Sequence, residues 1–514
     1  MSLTTSDAAG LRRFLPATLG RDLTASIVVF LVAMPLCMGI AIASGVPPER
    51  GLITGIIGGI VVGALAGSPL QVSGPAAGLA VIVFELVRSH GLSALGPILM
   101  LAGLIQLAAG ALRLGQWFRA ISPAVVHGML AGIGVLIVVG QMHVLIDSTP
   151  LHSGIANLIA IPGAFISLSP ITIGQAEAAF AVGAATIATI LAWEKLRPPS
   201  LKMVPGALIG VLVGTAIAAG FGLDVKRIVT PDSIVAALAP PRLADIALLA
   251  QPAIILTAVA IAFIASAETL LSAAAVDRMH NGARTKYDKE LFAQGVGNAL
   301  CGLVGALPMT GVIVRSSANV QAGAATRAST MLHGVWILGF VALLPFLLRQ
   351  IPMAALAGIL VVTGWKLVSL KHARHLFQHY GVLPAAIWGA TFAMVVFTDL
   401  LIGVLTGLAL SLLELIPHLR KPKLSIALRD EADGAELELS GAATFLHLPR
   451  LSKVLDAMPA GRAVRLKLSH LVHVDHTCAE LISDWLARRR AGGAAIEIDP
   501  AGADRHQRLA AAAA

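Results

Sequence analysis

GSPLQVSGPAAG at residues 67–78 and GALPMTG at residues 305–311 decide how this chain folds. Each is a Gly/Pro-rich break that opens an apolar segment, 74–87 and 311–322. At 1.5 Å per helical residue neither segment is long enough to cross a hydrocarbon core of about 30 Å. Outward from them, longer apolar runs recur near 24–44, 51–67, 96–112, 123–145, 174–193, 204–221, 251–273, 290–306, 331–349, 353–370, 383–398 and 399–418. The sum is fourteen segments, and the short ones stand third in the first seven and third in the second seven. Short, interrupted segments at matching places of two halves mark an inverted-repeat transporter with its site at the midplane. An odd number of spans per half also forces the halves into opposite orientations. The expectation is an α-helical polytopic membrane protein of fourteen spans, a 7+7 inverted repeat with halves at about 24–221 and 251–418.

Composition agrees. Hydrophobic residues make up 57% of the 514 and charged residues 13%, against about 25% charged in a soluble domain, which excludes a soluble enzyme over most of the chain. Aromatics at 4% with 51 Gly argue against an outer-membrane barrel with its aromatic girdles and for helices packed through small residues. Gly51, Gly55, Gly59, Gly63 and Gly67 bare one face of the second span in this way. The formal charge of +9 does not point to nucleic acid, because the basic residues sort by side. Arg12, Arg13, Arg21, Arg278, Arg284, Lys286, Lys289, Arg420 and Lys421 fall with most others on one side, and only Arg50, Arg88, Lys226, Arg227, Arg242 and Arg349 on the other. The positive-inside rule makes the first side cytoplasmic, with both chain ends there and an inner-membrane location. Arg12 and Arg13 precede a span without a cleavage site, so residues 1–23 read as an uncleaved cytoplasmic segment. Cys37, Cys301 and Cys478 stand too far apart for a disulfide framework or a zinc motif.

Glu268, in FIASAETLLSAAAVD (263–277), lies inside an apolar span. A carboxylate there costs about 2.5–3.5 kcal/mol on insertion scales, so it faces a cavity or a partner, and either H⁺ or Na⁺ would neutralise it. The bland alternative is a polar tie between helices. Arg315, in GVIVRSSANV (311–320), is the positive counterpart: it meets an entering anion, pairs with Glu268, or snorkels to the interface. If the short helices enter from opposite sides, their N-termini bring unpaired amides and positive dipole ends to one point, which suits an anion. Ser73, Thr310 and Ser316 add hydroxyls, and Pro75 fits a first helical turn. His372, His375 and His379, and separately His470, His473 and His476 around Asp475, have spacings that a metal could use, but the first set sits in a basic loop suited to anionic lipid headgroups and no metal site is assigned. No HExxH, GxSxG, Walker or CxxC pattern supports an enzyme, and no cofactor beyond the coupling ion is expected.

After Pro422 the pattern changes. LSIALRD (424–430), AELELSG (435–441), VRLKLS (464–469) and AAIEI (494–498) alternate as strands, while LPRLSKVLDAM (448–458) and TCAELISDWLARRR (477–490) have helical spacing. A small cytoplasmic α/β domain over 420–500 follows, with 501–514 as a tail.

These residues carry a resemblance to the sulfate permease (SulP) family of anion transporters. It extends from about residue 22 to 498 and rests on DLTASIVVFLVAMPLCMGIAIASG (22–45), GSPLQVSGPAAG, ASAETLLSAAAVD (265–277), KELFAQGVGNALCGLVGALPMTG (289–311) and RSSANVQAGAATR (315–327). LSHLVHVDHTCAELI (468–482) resembles the centre of a STAS domain. The resemblance implies a core that holds substrate and a gate that it moves against, usually in a homodimer, with site positions falling on Ala76, Ala77, Val312, Ile313, Glu268, Cys37 and Met38. It leaves the STAS-like domain free to bind a cytoplasmic partner. His476 follows Asp475 where related regulators have a phosphorylatable serine, which speaks against serine-type regulation. SGPAAGL and MPLCMGIAIASG are closest to a bacterial bicarbonate branch; sulfate or a dicarboxylate such as fumarate is the alternative within the family. The alternative of another class is a membrane sensor acting through the STAS-like domain.

Overall fold

The computed structural model describes residues 18–118, 122–151, 153–166, 174–201, 203–229, 233–280, 282–368, 381–415, 422–431, 434–458 and 463–505, with residues 168, 370, 374, 377, 378 and 509 besides. His372, His375 and His379 lie outside the described residues, as do Arg12, Arg13, Arg420 and Lys421. Two compact units are formed, one of Met1–Gly115 with Leu130–Val368, the other of Gln116–Met129 with Ser369–Ala514.

All fourteen expected spans are helical. They are α1 (Leu19–Ala43), α2 (Pro48–Leu65), α3 (Ala80–His90), α4 (Leu95–Ala111), α5 (Pro123–Val144), α7 (Gln175–Leu196), α8 (Gly206–Gly220), α9 (Pro252–Met279), α10 (Tyr287–Val304), α11 (Ile313–Gln321), α12 (Ala328–Leu343), α13 (Met353–Leu367), α14 (Val382–Phe397) and α15 (Leu400–Leu415). A helix satisfies its own backbone, which hydrocarbon demands. Among the described residues one further helix of more than ten residues, α6 (Gly154–Ile166), was not expected; it lies between the fifth and sixth spans, carries Pro162 inside it and exposes Ile155, Leu158, Ile159 and Ile166.

Small residues set the packing of the first unit. The glycine face of α2 meets two different helices in turn. A Cβ on Gly51 would lie 2.0 Å from the Cys37 carbonyl oxygen and one on Gly55 2.8 Å from Cys37 Sγ, both on α1; one on Gly59 would lie 2.7 Å from Gly334 Cα on α12. Helices α4 and α10 also touch backbone to backbone, since a Cβ on Gly103 would sit 2.3 Å from the Ala299 amide nitrogen. Midway along α2 the helix widens into a π turn, Gly58–Val62, beside which the chain of the first break passes. A Cβ on Gly58 would lie 2.6 Å from the Ser73 carbonyl oxygen.

In the second unit α14 and α15 form a hairpin, with Trp388 and Phe392 stacked at 5.4 Å. The C-terminal sheet has strands β3 (Ser425–Glu431), β4 (Gly434–Ala443), β5 (Val464–Lys467), β6 (Leu471–Val474) and β7 (Ile496–Ile498), ordered β3-β4-β5-β7 with β6 also on β4. Only β3 and β4 are antiparallel. Helices α16 (Leu448–Ala457) and α17 (His476–Ala491) fall where helical spacing placed them, and β6 was missed because LVHV is short and lacks alternation. Asp475 caps α17 by accepting from the Cys478 amide. Leu437, Leu466, Leu471, Cys478 and Trp485 close a core of this domain's own residues.

Candidate functional site

The two breaks fold into short strands, β1 (Ser73–Pro75) and β2 (Met309–Gly311), that pair antiparallel with Gly74 opposite Thr310. The chain therefore runs in opposite directions through the two breaks, and the two half-helices start from one point. Residues just beyond the strands repeat the symmetry. Ala76 and Val312 are both extended, at φ −90°, ψ 116° and φ −108°, ψ 115°. Each donates its amide to the residue preceding the opposite strand, Ala76 to Pro308 O at 3.3 Å and Val312 to Val72 O at 2.9 Å.

Helix starts follow at once. The first turn-closing bonds run from Leu79 N to Ala76 O and from Ser316 N to Val312 O. The amides of Ala77 and Gly78 on one side, and of Ile313, Val314 and Arg315 on the other, lie ahead of those bonds with no carbonyl of their own helix to accept from them. Neither start has a side-chain cap, because Ala and Val occupy the N-cap positions and are among the poorest capping residues. Two uncapped helix ends at one place offer amides and positive dipole ends to an anion.

The charged residues stand beside these ends. Arg315 is fully buried, and Nε, Nη1 and Nη2 all lack a hydrogen-bond partner. Its guanidinium fills the space over Gly74, where a Cβ would lie 2.0 Å from Nη1. Burial rules out snorkelling, and Glu268 and Arg315 form no ion pair. Glu268 reaches the other helix start: its Oε2 is buried without a partner, and a Cβ on Gly78 would lie 2.7 Å from it. The next residue, Thr269, is tied to the strands, with Oγ1 accepting from the Gly311 amide at 3.1 Å and O from Gln71 Nε2 at 3.0 Å.

The other expected residues divide. Ala77 and Val312 are half-buried, Ile313 is 37% exposed and Ala76 is buried, so the helix starts open on one side. Thr310 Oγ1 is buried without a partner. Ser73 Oγ accepts from Gln294 Nε2 at 2.6 Å. Ser316, expected as a hydroxyl donor, is not available: its Oγ accepts from the Val72 amide and donates to Val312 O. Cys37 and Met38 are fully buried, and the Cys37 thiol lies against the Arg315 guanidinium without meeting hydrogen-bond geometry.

Residues 19–391 match the sulfate permease family. The chain belongs to that family. YvdB of Bacillus subtilis, provisionally named a sulfate transporter, is 29% identical over 90% of this chain and 87% of its own length. The bicarbonate transporter BicA of Synechocystis sp. is 25% identical over 95% of this chain and 89% of its own. The solved transmembrane domain of a cyanobacterial BicA superimposes with a TM-score of 0.66 at 25% identity, over 76% of this chain and 98% of that one. SLC26A9, at 14% identity and a TM-score of 0.67 over 96% of this chain and 86% of that one, shares the fold. This sulfate permease family member is thus an anion transporter and not an enzyme, a multi-pass membrane protein of fourteen spans in two inverted sevens with a C-terminal α/β region that fits a STAS domain.

Behind the paired strands the family member carries a polar chain that sequence reading overlooked. Gln294 Nε2 donates to both Ser73 Oγ and Glu290 Oε1, while Glu290 Oε2 accepts from the Ser68 amide at 2.8 Å. Asn298 grips Met309 with both amide atoms and donates to Gln106 Oε1 at 2.7 Å. Together they fix β1 and β2 from α10. Three polar residues at helical spacing, Glu290, Gln294 and Asn298 in KELFAQGVGN (289–298), were the available signal. His333, alone in the apolar α12, was another.

Proposed function

We propose that this chain is a secondary active transporter that carries bicarbonate across the inner membrane by alternating access, with the anion between the starts of α3 and α11. One observation carries the reading. A fully buried guanidinium with no partner stands beside two uncapped helix ends, and an unpaired buried charge costs several kcal/mol unless a counter-charge arrives. Ala76, Ala77, Val312 and Ile313 bound the site, Thr310 adds a free hydroxyl, Cys37 and Met38 back it from the first span, and Ser73 holds β1 in place. Glu268, unpaired against Gly78, takes the coupling ion, H⁺ or Na⁺. Both termini are cytoplasmic, residues 24–419 form the transport domain and 420–500 the STAS-like one, and the unit works as a homodimer. Two BicA relatives support bicarbonate. Sulfate is the second reading, favoured by the name of the 29% identical YvdB.

Purified protein in liposomes tests both. Uptake of labelled bicarbonate above that of sulfate and fumarate, driven by an imposed Na⁺ or proton gradient, is the expected result. Uptake of sulfate alone gives the second reading, and no uptake of any anion overturns both.

A further inference from the structure

A cavity of about 480 Å³ opens in the first unit between the end of α1, the flank of α3, and α5 with the loop that follows it. Val81 and Phe84 of α3 and Leu136 and Ile137 of α5 supply apolar walls. No charged side chain lines it, and neither do Arg315, Glu268 or the paired strands. It is therefore separate from the anion site, and its walls disfavour an anion. On α5 the space is left open at Gly140, where a Cβ would meet nothing within 4 Å.

Three polar side chains reach the cavity. Asn157 accepts from the Leu151 amide and donates to the Leu151 and Ser153 carbonyls, and Ser153 Oγ accepts from the Ala156 amide. Both hold the loop. Gln141 is 2% exposed and its Oε1 has no partner; the last torsion of a glutamine is soft, so this oxygen turns readily to a donor in the cavity. An apolar space of ligand size with one unspent acceptor suits an uncharged molecule with an apolar body and a single hydroxyl. The way in is apolar too, since Leu151 on the wall and Ile155 and Ile159 beside it on α6 are exposed.

We propose that this cavity is a regulatory site for such an amphiphile, its hydroxyl donating to Gln141 Oε1, and that occupancy slows transport. Val81 lies only four residues beyond Ala77, at the helix start that bounds the anion site, so a ligand wedged between α3 and α5 holds that start in place. Binding stands on the cavity alone; the slowing rests on the alternating-access reading.

The probes are tritiated para-butylbenzyl alcohol and its methyl ether, which keeps the ring and chain but has no hydrogen to give. The full-length protein in detergent should bind the alcohol roughly 3- to 10-fold more tightly than the ether, the worth of one hydrogen bond. Gln141→Met should bind the two alike, and Gly140→Leu, which fills the space, should lose specific binding. Where Gly140→Leu does not fold, Val81→Trp fills the cavity from the opposite helix. Equal affinities in the parent, or alcohol binding that survives the filled cavity, overturn the site. Displacement of the alcohol by saturating bicarbonate would put the cavity on the anion's own route and overturn it as well. Diacylglycerol, a lipid of the same chemistry, separates the natural sources: competition with the alcohol assigns the site to membrane lipid, and its absence to a free small molecule. In liposomes, gradient-free exchange of labelled anion should fall as the alcohol saturates the parent and stay at its own basal rate in Gly140→Leu. Parental exchange unchanged at saturation overturns regulation. Failure of the transport reading looks different: no anion is exchanged with or without the alcohol, while the alcohol still binds.

Discussion

Gly78→Ala separates coupling from folding. Gly78 lies in the 3-10 turn Ala77–Leu79 that leads into α3 and has no positive φ, so alanine fits the backbone and removes some freedom from the unfolded chain, a gain of up to about 1 kcal/mol. The added Cβ would lie 2.7 Å from Glu268 Oε2 and 3.0 Å from Cδ and Oε1, whereas ordinary contact starts at 3.4 Å. The carboxylate must therefore retreat by about 0.7 Å, the difference between 3.4 and 2.7 Å. It sits at the end of a flexible side chain, so a turn of about 30° about one bond absorbs the clash at about 0.5–1.5 kcal/mol. The two terms nearly cancel, and the variant should fold with parental stability. Its carboxylate no longer meets the helix start, however, and misplacement of a reacting group by about 1 Å costs roughly 100-fold. Gradient-driven accumulation in liposomes should fall by roughly 10- to 100-fold. Gradient-free exchange of the anion should persist. Gly339→Ala, on α12 with nothing within 4 Å of the new methyl, is the control and should match the parent. Parental accumulation by Gly78→Ala would show that the position of Glu268 is irrelevant to coupling.

Three further outcomes are expected. Glu268→Gln keeps shape but cannot change charge, so it should exchange anion without responding to a Na⁺ or proton gradient; full accumulation would remove Glu268 from coupling. Ala77→Glu and Val312→Glu place a like charge at the uncapped helix starts and should abolish anion competition, whereas both variants transporting normally would disprove a shared site. In the C-terminal domain, hydrogen bonding to the Lys467 ammonium at 2.7 Å, with Arg429 and Arg465 nearby, holds the Glu436 carboxyl below its usual range. Its stabilisation is present above the ordinary glutamate value of about 4.3 and is lost as pH falls through the lower folded value. Glu436→Gln should thus lower the thermal midpoint of that domain at neutral pH and match the parent in acid, and a deficit independent of pH would contradict the pairing.

Length and apolarity made the fourteen spans legible, since hydrocarbon leaves a twenty-residue apolar run few alternatives to a helix. The site was legible for a different reason. Ala76 and Val312 occupy N-cap positions where a soluble helix would carry Ser, Thr, Asp or Asn, and the lack of a cap after a Gly/Pro break is already written in GPAAG and TGVIV. Pairing of β1 with β2 was not, because three-residue strands carry no periodicity and their partners lie more than two hundred residues away in sequence. Helix α6 was hidden by Pro162 in a stretch too short to span. The Glu290, Gln294 and Asn298 chain escaped notice because attention went to charges that face the substrate, while these three hold the strands from behind. His333 belongs to the same class: a polar residue in an apolar span is expensive wherever it sits, and only its neighbours tell support from recognition. Glu290 has both carboxylate oxygens occupied and Gln294 Nε2 donates to two partners, which makes them supports of the paired strands, although Gln294 Oε1 is buried without a partner. His333 has one nitrogen committed and one buried without a partner, as Gln294 has its Oε1, so a bare acceptor by itself does not separate a group that recognises a ligand from one that supports the fold.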